Sequence, residues 1–269
     1  MITVAITTFN RSDIVGRAVR SALAFTATIG GKVVLVDDGS TDDTQTVIKR
    51  DFHFDLSIGT LTYFRHETNL GVTAAKNTAF KLSSAGWILF LDSDDEFIQE
   101  TAPDVHGVLT DHKDEALVFF RCVDQTGRLV GHRFTIPQRL SLPRYTAHTS
   151  YGEALVTINK AVVTSPPFDA DLRGYEGIGC ARLIKLFGPA LLSTVTARRY
   201  DRSRSDRLCG FHGMLERAGH LARGHSRYIS LFGNDMRPTT RLAMRIKTLV
   251  YFSADLFRRV LWFQNGRYH

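Results

Sequence analysis

Several short polar clusters in the first hundred residues carry side chains suited to chemistry. Asp92-Ser93-Asp94-Asp95 follows an apolar run, Trp87 to Leu91, that reads as a buried strand. At an extended strand end alternate residues point the same way, so Asp92 and Asp94 can address one cation. Carboxylate oxygens suit a hard divalent ion such as Mg²⁺ or Mn²⁺, and such an ion neutralises the charge that develops when a diphosphate departs. Standing alone, the same cluster reads as an acidic turn that caps the next helix. Asp37-Asp38-Gly39-Ser40 closes a second apolar run, Lys32 to Val36. A carboxylate there can accept the imide hydrogen of a uracil, Gly39 permits a tight turn, and Ser40 to Asp42 can cap a helix. Thr7 and Thr8 end the first run, where their hydroxyls either hydrogen-bond a base or simply finish a strand. Asn69, Gly71, Lys76 and Asn77 form a third group, in which Lys76 offers a positive charge either to a nucleotide or to the DSDD carboxylates.

These side chains need a scaffold that brings strand ends together, and the chain alternates strand and helix signals as a parallel sheet with crossover helices requires. Ile2 to Thr7 is the first strand. Ser12 is expected to cap a helix from Asp13 to about Leu23, with Ile14, Val15, Ala18, Val19 and Ala22 on one face. Lys32 to Val36 is the second strand, Thr41 or Asp42 caps a helix through Arg50, and Leu61 to Arg65 is the third strand. A helix over Thr73 to Ser83 and a strand over Trp87 to Leu91 follow. Three strands thus end in polar loops at Thr7, Asp37 and Asp92, the ends at which open α/β sheets bind ligands. Farther on, Val105 to Leu109 reads as helix, Ala116 to Val123 and Arg133 to Ile136 as strands, and Pro137 to Ser150 as a loop. Ala154 to Val163 is an apolar element of either type. A helix is expected after Gly174 through Leu186, and helices again from Gly210, the last starting at Pro238.

With 269 residues and 43% apolar content the chain can bury a large core. Cys122, Cys180 and Cys209 stand far apart, which suggests neither a zinc site nor a disulfide framework and suits a reducing cytoplasm. Met1 to Asn10 reads as a strand, not a signal peptide, and no run is long and apolar enough to span a membrane. The ten histidines show no paired metal spacing and read mostly as surface residues. The formal charge of +7 is uneven: Arg198 to His269 holds 15 Lys and Arg against 5 Asp and Glu. Without a nucleic-acid-binding motif, such a tail suits anionic lipid or a pyrophosphate-bearing substrate and no nucleic acid. Leu242, Ile246, Leu249, Val250, Leu256, Phe257 and Val260 share one helical face, with Arg241, Lys247, Arg258 and Arg259 off it. That face suits a membrane interface over 239–263, the catalytic domain, or another subunit in a homo-oligomer.

Taken together, Ile6-Thr7-Thr8-Phe9-Asn10-Arg11, Val36-Asp37-Asp38-Gly39-Ser40-Thr41-Asp42, Asn69-Leu70-Gly71 with Ala75-Lys76-Asn77, and Leu91-Asp92-Ser93-Asp94-Asp95 resemble the family 2 glycosyltransferases of the GT-A fold. The resemblance spans residues 1–100 strongly and 166–188 more weakly. It implies an α/β fold, a Rossmann-like, mostly parallel central sheet with flanking helices, followed here by a basic helical carboxyl-terminal extension. Residues 1–209 would form the catalytic domain, with a nucleotide-binding half at 1–100 and an acceptor half at 101–209, and 210–269 the extension. The activity implied is metal-dependent, inverting transfer of a sugar from a nucleotide diphosphate sugar, a UDP-sugar by preference. The acceptor would be a saccharide or lipid-linked saccharide in bacterial cell-surface polysaccharide or glycolipid synthesis, at the cytoplasmic face of the membrane.

By the same resemblance Asp94 binds Mn²⁺ or Mg²⁺ directly, Asp92 serves the metal through itself or its water, or the ribose, and Asp95 supports them. Asp38 takes the uracil, and Thr7, Thr8, Asn10, Arg11, Asn69, Gly71, Lys76 and Ser93 complete the donor site. The family usually has arginine where Lys76 stands. Phe168-Asp169-Ala170-Asp171-Leu172-Arg173-Gly174-Tyr175-Glu176 resembles the segment whose acidic pair opens a helix and supplies the general base. Tyr175 replaces the first acid, Glu176 takes the place of the base, and Asp169 and Asp171 are the fallback bases. Arg198 to Ser205 looks similar to a late loop that closes over the donor pyrophosphate, with Arg202 the residue expected to reach it. A nucleotidyltransferase on a related fold would carry a Gly-rich basic loop after the first strand, which Thr7 to Arg11 is not. A non-catalytic nucleotide-sugar-binding module is favoured only by Tyr175 and opposed by Asp38, Asp92 and Asp94.

Overall fold

The computed structural model of the chain describes residues 1–84, 86–147, 152–201 and 217–265, and side chains as far as 258. Two compact units emerge, Met1–Arg202 and Ser203–His269. The expected boundary between 209 and 210 lies outside the described residues.

The first unit opens as the alternation of apolar runs and amphipathic stretches predicts: β1 (Ile2–Thr8), α1 (Val15–Ile29), β2 (Gly31–Asp37), α2 (Thr44–Asp51), α3 (His53–Ile58), β3 (Leu61–Arg65), α4 (Val72–Leu82) and β4 (Trp87–Asp92). It continues with β5 (Glu96–Phe97), α5 (Ala102–Asp111), β6 (Leu117–Val123), β7 (Gln138–Leu140), α6 (Leu142–Thr146), β8 (Ala154–Asn159), α7 (Glu176–Phe187) and β9 (Ala190–Arg199). One sheet in the order β3-β2-β1-β4-β8-β6-β9-β5 holds them, with β7 paired to β9. β1 to β4 are mutually parallel; β8 runs antiparallel to both β4 and β6, and β6 and β9 are again parallel. The core lies where α1 covers the sheet. Val15, Ala18, Val19, Ala22 and Phe25 recur at helical spacing and are all fully buried against Val4, Ile6, Leu35, Leu89 and Leu91. Phe25 stacks on Phe97 at 4.0 Å between ring centroids and ties this layer to β5.

Some boundaries differ from the sequence expectation. α1 begins at Val15, and Ser12 does not cap it; the Ser12 N–H instead donates to Asp42 Oδ2 at 3.0 Å. The helix runs on to Ile29 because its apolar face continues through Phe25, and Gly30 ends it in the left-handed conformation, φ 72°. Arg133 to Ile136 forms no strand; the strand of this region is β7, inside the stretch expected to be loop, and α6 follows it. The sequence reading also passes over β9 entirely. Its residues mix Leu, Ser, Thr, Val and Ala without clean alternation, and register shifts in its pairing with β6 break the period of two.

The second unit contains α8 (Ala218–Phe232) and α9 (Pro238–Asn265), the latter starting at the proline as expected. The two helices pack closely. A Cβ on Gly219 of α8 would come within 2.7 Å of the Asp255 carboxylate on α9. Among the described residues no helix is long and apolar enough to cross a membrane.

Candidate active site

Strand register brings the three polar loops together. Thr7 of β1 pairs with Asp92 of β4, and Thr8 pairs with Asp37 of β2. Thr7 and Thr8 are both buried at this edge, and the Thr8 carbonyl accepts the Asp38 N–H at 2.8 Å. Asn10, in the left-handed region at φ 51°, links two loops: its N–H donates to Ser40 Oγ at 2.9 Å, and its Oδ1 accepts the Thr41 N–H at 2.7 Å. The Arg11 N–H donates to Thr44 Oγ1 at 3.2 Å. Asp37 is wholly buried and shapes its own turn, accepting from the Ser40 N–H at 2.8 Å and the Tyr63 hydroxyl at 2.7 Å.

Asp38 holds the adjoining turn. Its Oδ1 accepts the Leu70 N–H at 2.9 Å and lies 2.7 Å from His66 Nδ1, while Oδ2 accepts the Gly71 N–H at 2.7 Å. A carboxylate offers about four acceptor positions, so one remains after these three contacts. Gly39 (φ 77°) and Gly71 (φ 95°) allow the two turns to interlock, because a Cβ on Gly39 would meet the Thr68 carbonyl carbon at 2.6 Å. Exposed Asn69 lies on the same turn. His66 departs from the expectation that the histidines are mostly superficial. It is buried, with Nε2 2.9 Å from Thr78 Oγ1 of α4, and so joins Asp38 to that helix. Its sequence signal is weak: a polar residue directly after β3.

The acidic turn after β4 is held from three sides. Lys76 of α4 places Nζ 3.2 Å from Asp92 Oδ1 and 3.1 Å from Glu176 Oε1. Burial opposes the lysine charge, but Asp92 and Glu176 outweigh it and hold Lys76 above the ordinary lysine range. Burial likewise works against the Asp92 carboxylate, and Lys76 and Arg198 more than offset it, so its pKa lies below the usual value. Ser93 is buried within the turn. Arg17 of α1 donates from Nη2 to the Asp94 carbonyl at 2.6 Å and to Asp201 Oδ2 at 2.9 Å, fixing the turn's backbone. Asp95 is buried, accepts the Asp201 N–H at 2.9 Å and faces Arg198 Nη1 at 3.1 Å. Burial, opposed by Arg198, pushes its carboxyl up to about 8.

The sequence reading put Arg198 in a loop closing over a pyrophosphate; it is instead a buried residue of β9 whose guanidinium supports the DSDD turn. Its Nη1 also lies 3.5 Å from Asp92 Oδ2, its Nη2 is 3.3 Å from Glu153 Oε2, and its Nε is 3.1 Å from Cys122 Sγ. Only the tertiary arrangement pairs it with carboxylates about a hundred residues away. Arg202 lies outside the described residues, as does the rest of that segment to 216.

Asp94 differs from its neighbours. Its carboxylate is supported by its own backbone N–H and by the Arg11 charge, but burial together with the Asp92 charge outweighs both and raises its pKa. An anion in that position is under-compensated by the protein. No cluster of three or more His, Cys, Asp or Glu able to hold a metal occurs among the described residues. The protein's share of a cation site here would thus be two carboxylates, Asp94 and Asp92. That donor set fits Mg²⁺ or Mn²⁺, which take one or two carboxylates and leave the remaining positions to water and substrate phosphate.

The 166–176 segment is fastened to α4 by Asn77, whose Nδ2 donates to the Phe168 carbonyl at 2.7 Å and whose Oδ1 accepts the Phe168 N–H at 3.1 Å. Phe168 packs edge-on against Phe90 of β4. Close packing at Gly179, where a Cβ would lie 2.6 Å from the Pro167 carbonyl oxygen, seats α7 against this segment. Glu176, the first residue of α7, is thereby carried to Lys76 and the acidic turn. Asp169 is engaged elsewhere, 2.6 Å from Arg182 Nη2, and Asp171 is exposed.

Three comparisons extend this geometry. The family model described as Glycosyl transferase family 2 matches residues 3–159. The succinoglycan biosynthesis protein ExoU of Rhizobium meliloti is 40% identical over 96 residues, 36% of this chain and 27% of ExoU. Among solved structures, S. aureus TarS 1-349 in complex with UDP-GlcNAc superposes with a TM-score of 0.61 at 18% identity, covering 85% of this chain and 66% of that TarS fragment. The mannosyltransferase PcManGT from Pyrobaculum calidifontis, in complex with GDP-Man and Mn²⁺, gives 0.61 at 16% identity over 99% of this chain and 79% of its own. The likeness to these structures bears out the GT-A fold.

Proposed function

Because the chain belongs to glycosyl transferase family 2, we propose that it moves a sugar from a UDP-sugar to an acceptor hydroxyl with inversion, with Mn²⁺ or Mg²⁺ at Asp94 and Asp92 and Glu176 as general base. The observation that carries this reading is the Lys76 bridge. One ammonium contacts both Asp92 and Glu176, so the acid of the proposed metal site and the proposed base stand within about 6 Å of each other. A base and a leaving-group site must flank one anomeric carbon, and this spacing is of that order.

In the proposed step the acceptor oxygen attacks the anomeric carbon and forms the new C–O bond while Glu176 takes its proton. The bond to the diphosphate oxygen breaks, and its electron pair leaves with UDP. The cation, when bound, supplies charge neutralisation at that oxygen. Lys76 orients Glu176, Asp94 and Asp92 hold the cation, and Asp38 uses its remaining acceptor position for the uracil beside Thr7 and Thr8. ExoU's role in succinoglycan biosynthesis supports a polysaccharide or glycolipid acceptor, and TarS with UDP-GlcNAc supports a UDP-sugar.

The test compares Glu176→Gln with Asp169→Asn and Asp171→Asn, measuring UDP affinity and sugar transfer for each. Loss of the base is expected to lower transfer by about 10² to 10⁴ while UDP still binds. Parental transfer by Glu176→Gln, with failure of either aspartate variant, would move the base to that aspartate.

A further inference from the structure

The geometry of α9 points to a docking surface for anionic lipid, on which the helix lies in the plane of the membrane. At 100° per residue, Leu242, Ile246, Leu249, Val250, Leu256 and Phe257 fall within an arc of about 120°. All six are more than half exposed, from 53% at Ile246 to 67% at Leu249. The opposite side of the helix is already occupied: Met244, Thr248 and Asp255 are buried there, with Asp255 against Gly219 of α8. The exposed stripe is therefore left over after α8 has been packed.

Charge identifies the occupant. Arg241 and Arg245 lie along one border of the stripe and Lys247 and Arg258 along the other, and over Pro238–Asn265 five Lys and Arg stand against one Asp. A second copy of α9 laid on this stripe would set basic borders against basic borders, which repel. Anionic headgroups would instead meet both borders while the acyl region receives the apolar side chains. Because α9 is too polar to cross a bilayer, its place at a membrane would be in the plane of the surface.

Flotation of the full chain with phosphatidylcholine vesicles, with and without about 30 mol% phosphatidylglycerol, tests this. Binding is expected only to the anionic vesicles and should fall as salt rises. A Leu249→Glu/Leu256→Glu/Phe257→Glu variant is expected to lose at least about tenfold in bound fraction, as is an Arg241→Gln/Arg245→Gln/Lys247→Gln/Arg258→Gln variant with the stripe intact. Circular dichroism and thermal unfolding of each variant separate loss of binding from loss of fold. The proposal is overturned if the parent ignores anionic vesicles, or if a folded stripe variant binds them as well as the parent. It is equally overturned if the parent is a dimer that the glutamates make monomeric without any vesicle binding.

Discussion

Lys76 and Arg198 are the two cations on which the acidic turn depends, and their substitution should have different consequences. Lys76 separates Asp92 from Glu176, contacting each within 3.2 Å. Lys76→Met leaves two carboxylates facing each other and frees Glu176 to swing, so transfer should fall by about 10²-fold, the usual loss for a displaced reacting group. Steady-state kinetics on the folded variant would check this, and parental turnover would remove Lys76 from the positioning role. Arg198 is only 4% exposed in its side chain, with Asp95 fully buried against it. Above about pH 8, where Asp95 is ionised, Arg198→Met should cost about 3–5 kcal/mol in stability, because it strands a buried carboxylate; below that pH the carboxyl is neutral and the loss should be smaller. Adding Asp95→Asn should return part of that loss. Denaturant unfolding of the single and double variants reads the coupling, and additive losses would mean that the pair does not interact.

At the scale of elements, the proposed base depends on a connection between α4 and the segment that precedes α7. Asn77 makes both of its amide contacts with the Phe168 backbone. Asn77→Ala leaves a backbone donor and acceptor unmet, at a cost of about 1–3 kcal/mol in stability. Since α7 starts eight residues beyond Phe168, the expected kinetic effect is a fall in kcat with little change in UDP affinity, measured by titration and turnover in parallel. A weakened UDP affinity with unchanged kcat would place Asn77 in nucleotide binding instead. β1 to β4 and α7 were legible in the sequence because each carries a contiguous apolar run or a clear helical stripe. β9 was not, since its Ser and Thr positions and its irregular register with β6 erase the alternation that marks a strand. Ser12 misled for a different reason: a good capping residue was recruited instead by Asp42, thirty positions away.

For the whole molecule, the legible part of the candidate site is the part written at strand ends. Asp38, Asp92 and Asp94 each follow an apolar run, and the register that pairs Thr8 with Asp37 and Thr7 with Asp92 brings their loops to the carboxyl end of the parallel strands. What the sequence hid are residues whose partners are remote. Arg198 faces Asp95 across a hundred positions, Arg17 reaches the Asp94 carbonyl from α1, and His66 joins Asp38 to α4. These contacts hold the acidic turn in place and favour the charge of Asp92, whereas burial and the Asp92 charge outweigh the support that Asp94 receives. The account therefore stands on Asp94 as a ligand of the proposed cation. The direct measurement is UDP release from a panel of UDP-sugars with Mn²⁺ or Mg²⁺ and with EDTA, for the parent and for Asp94→Ala of verified fold. The predicted result is release from at least one UDP-sugar that requires the metal and is lost in Asp94→Ala; full turnover in EDTA, or in the variant, would contradict it.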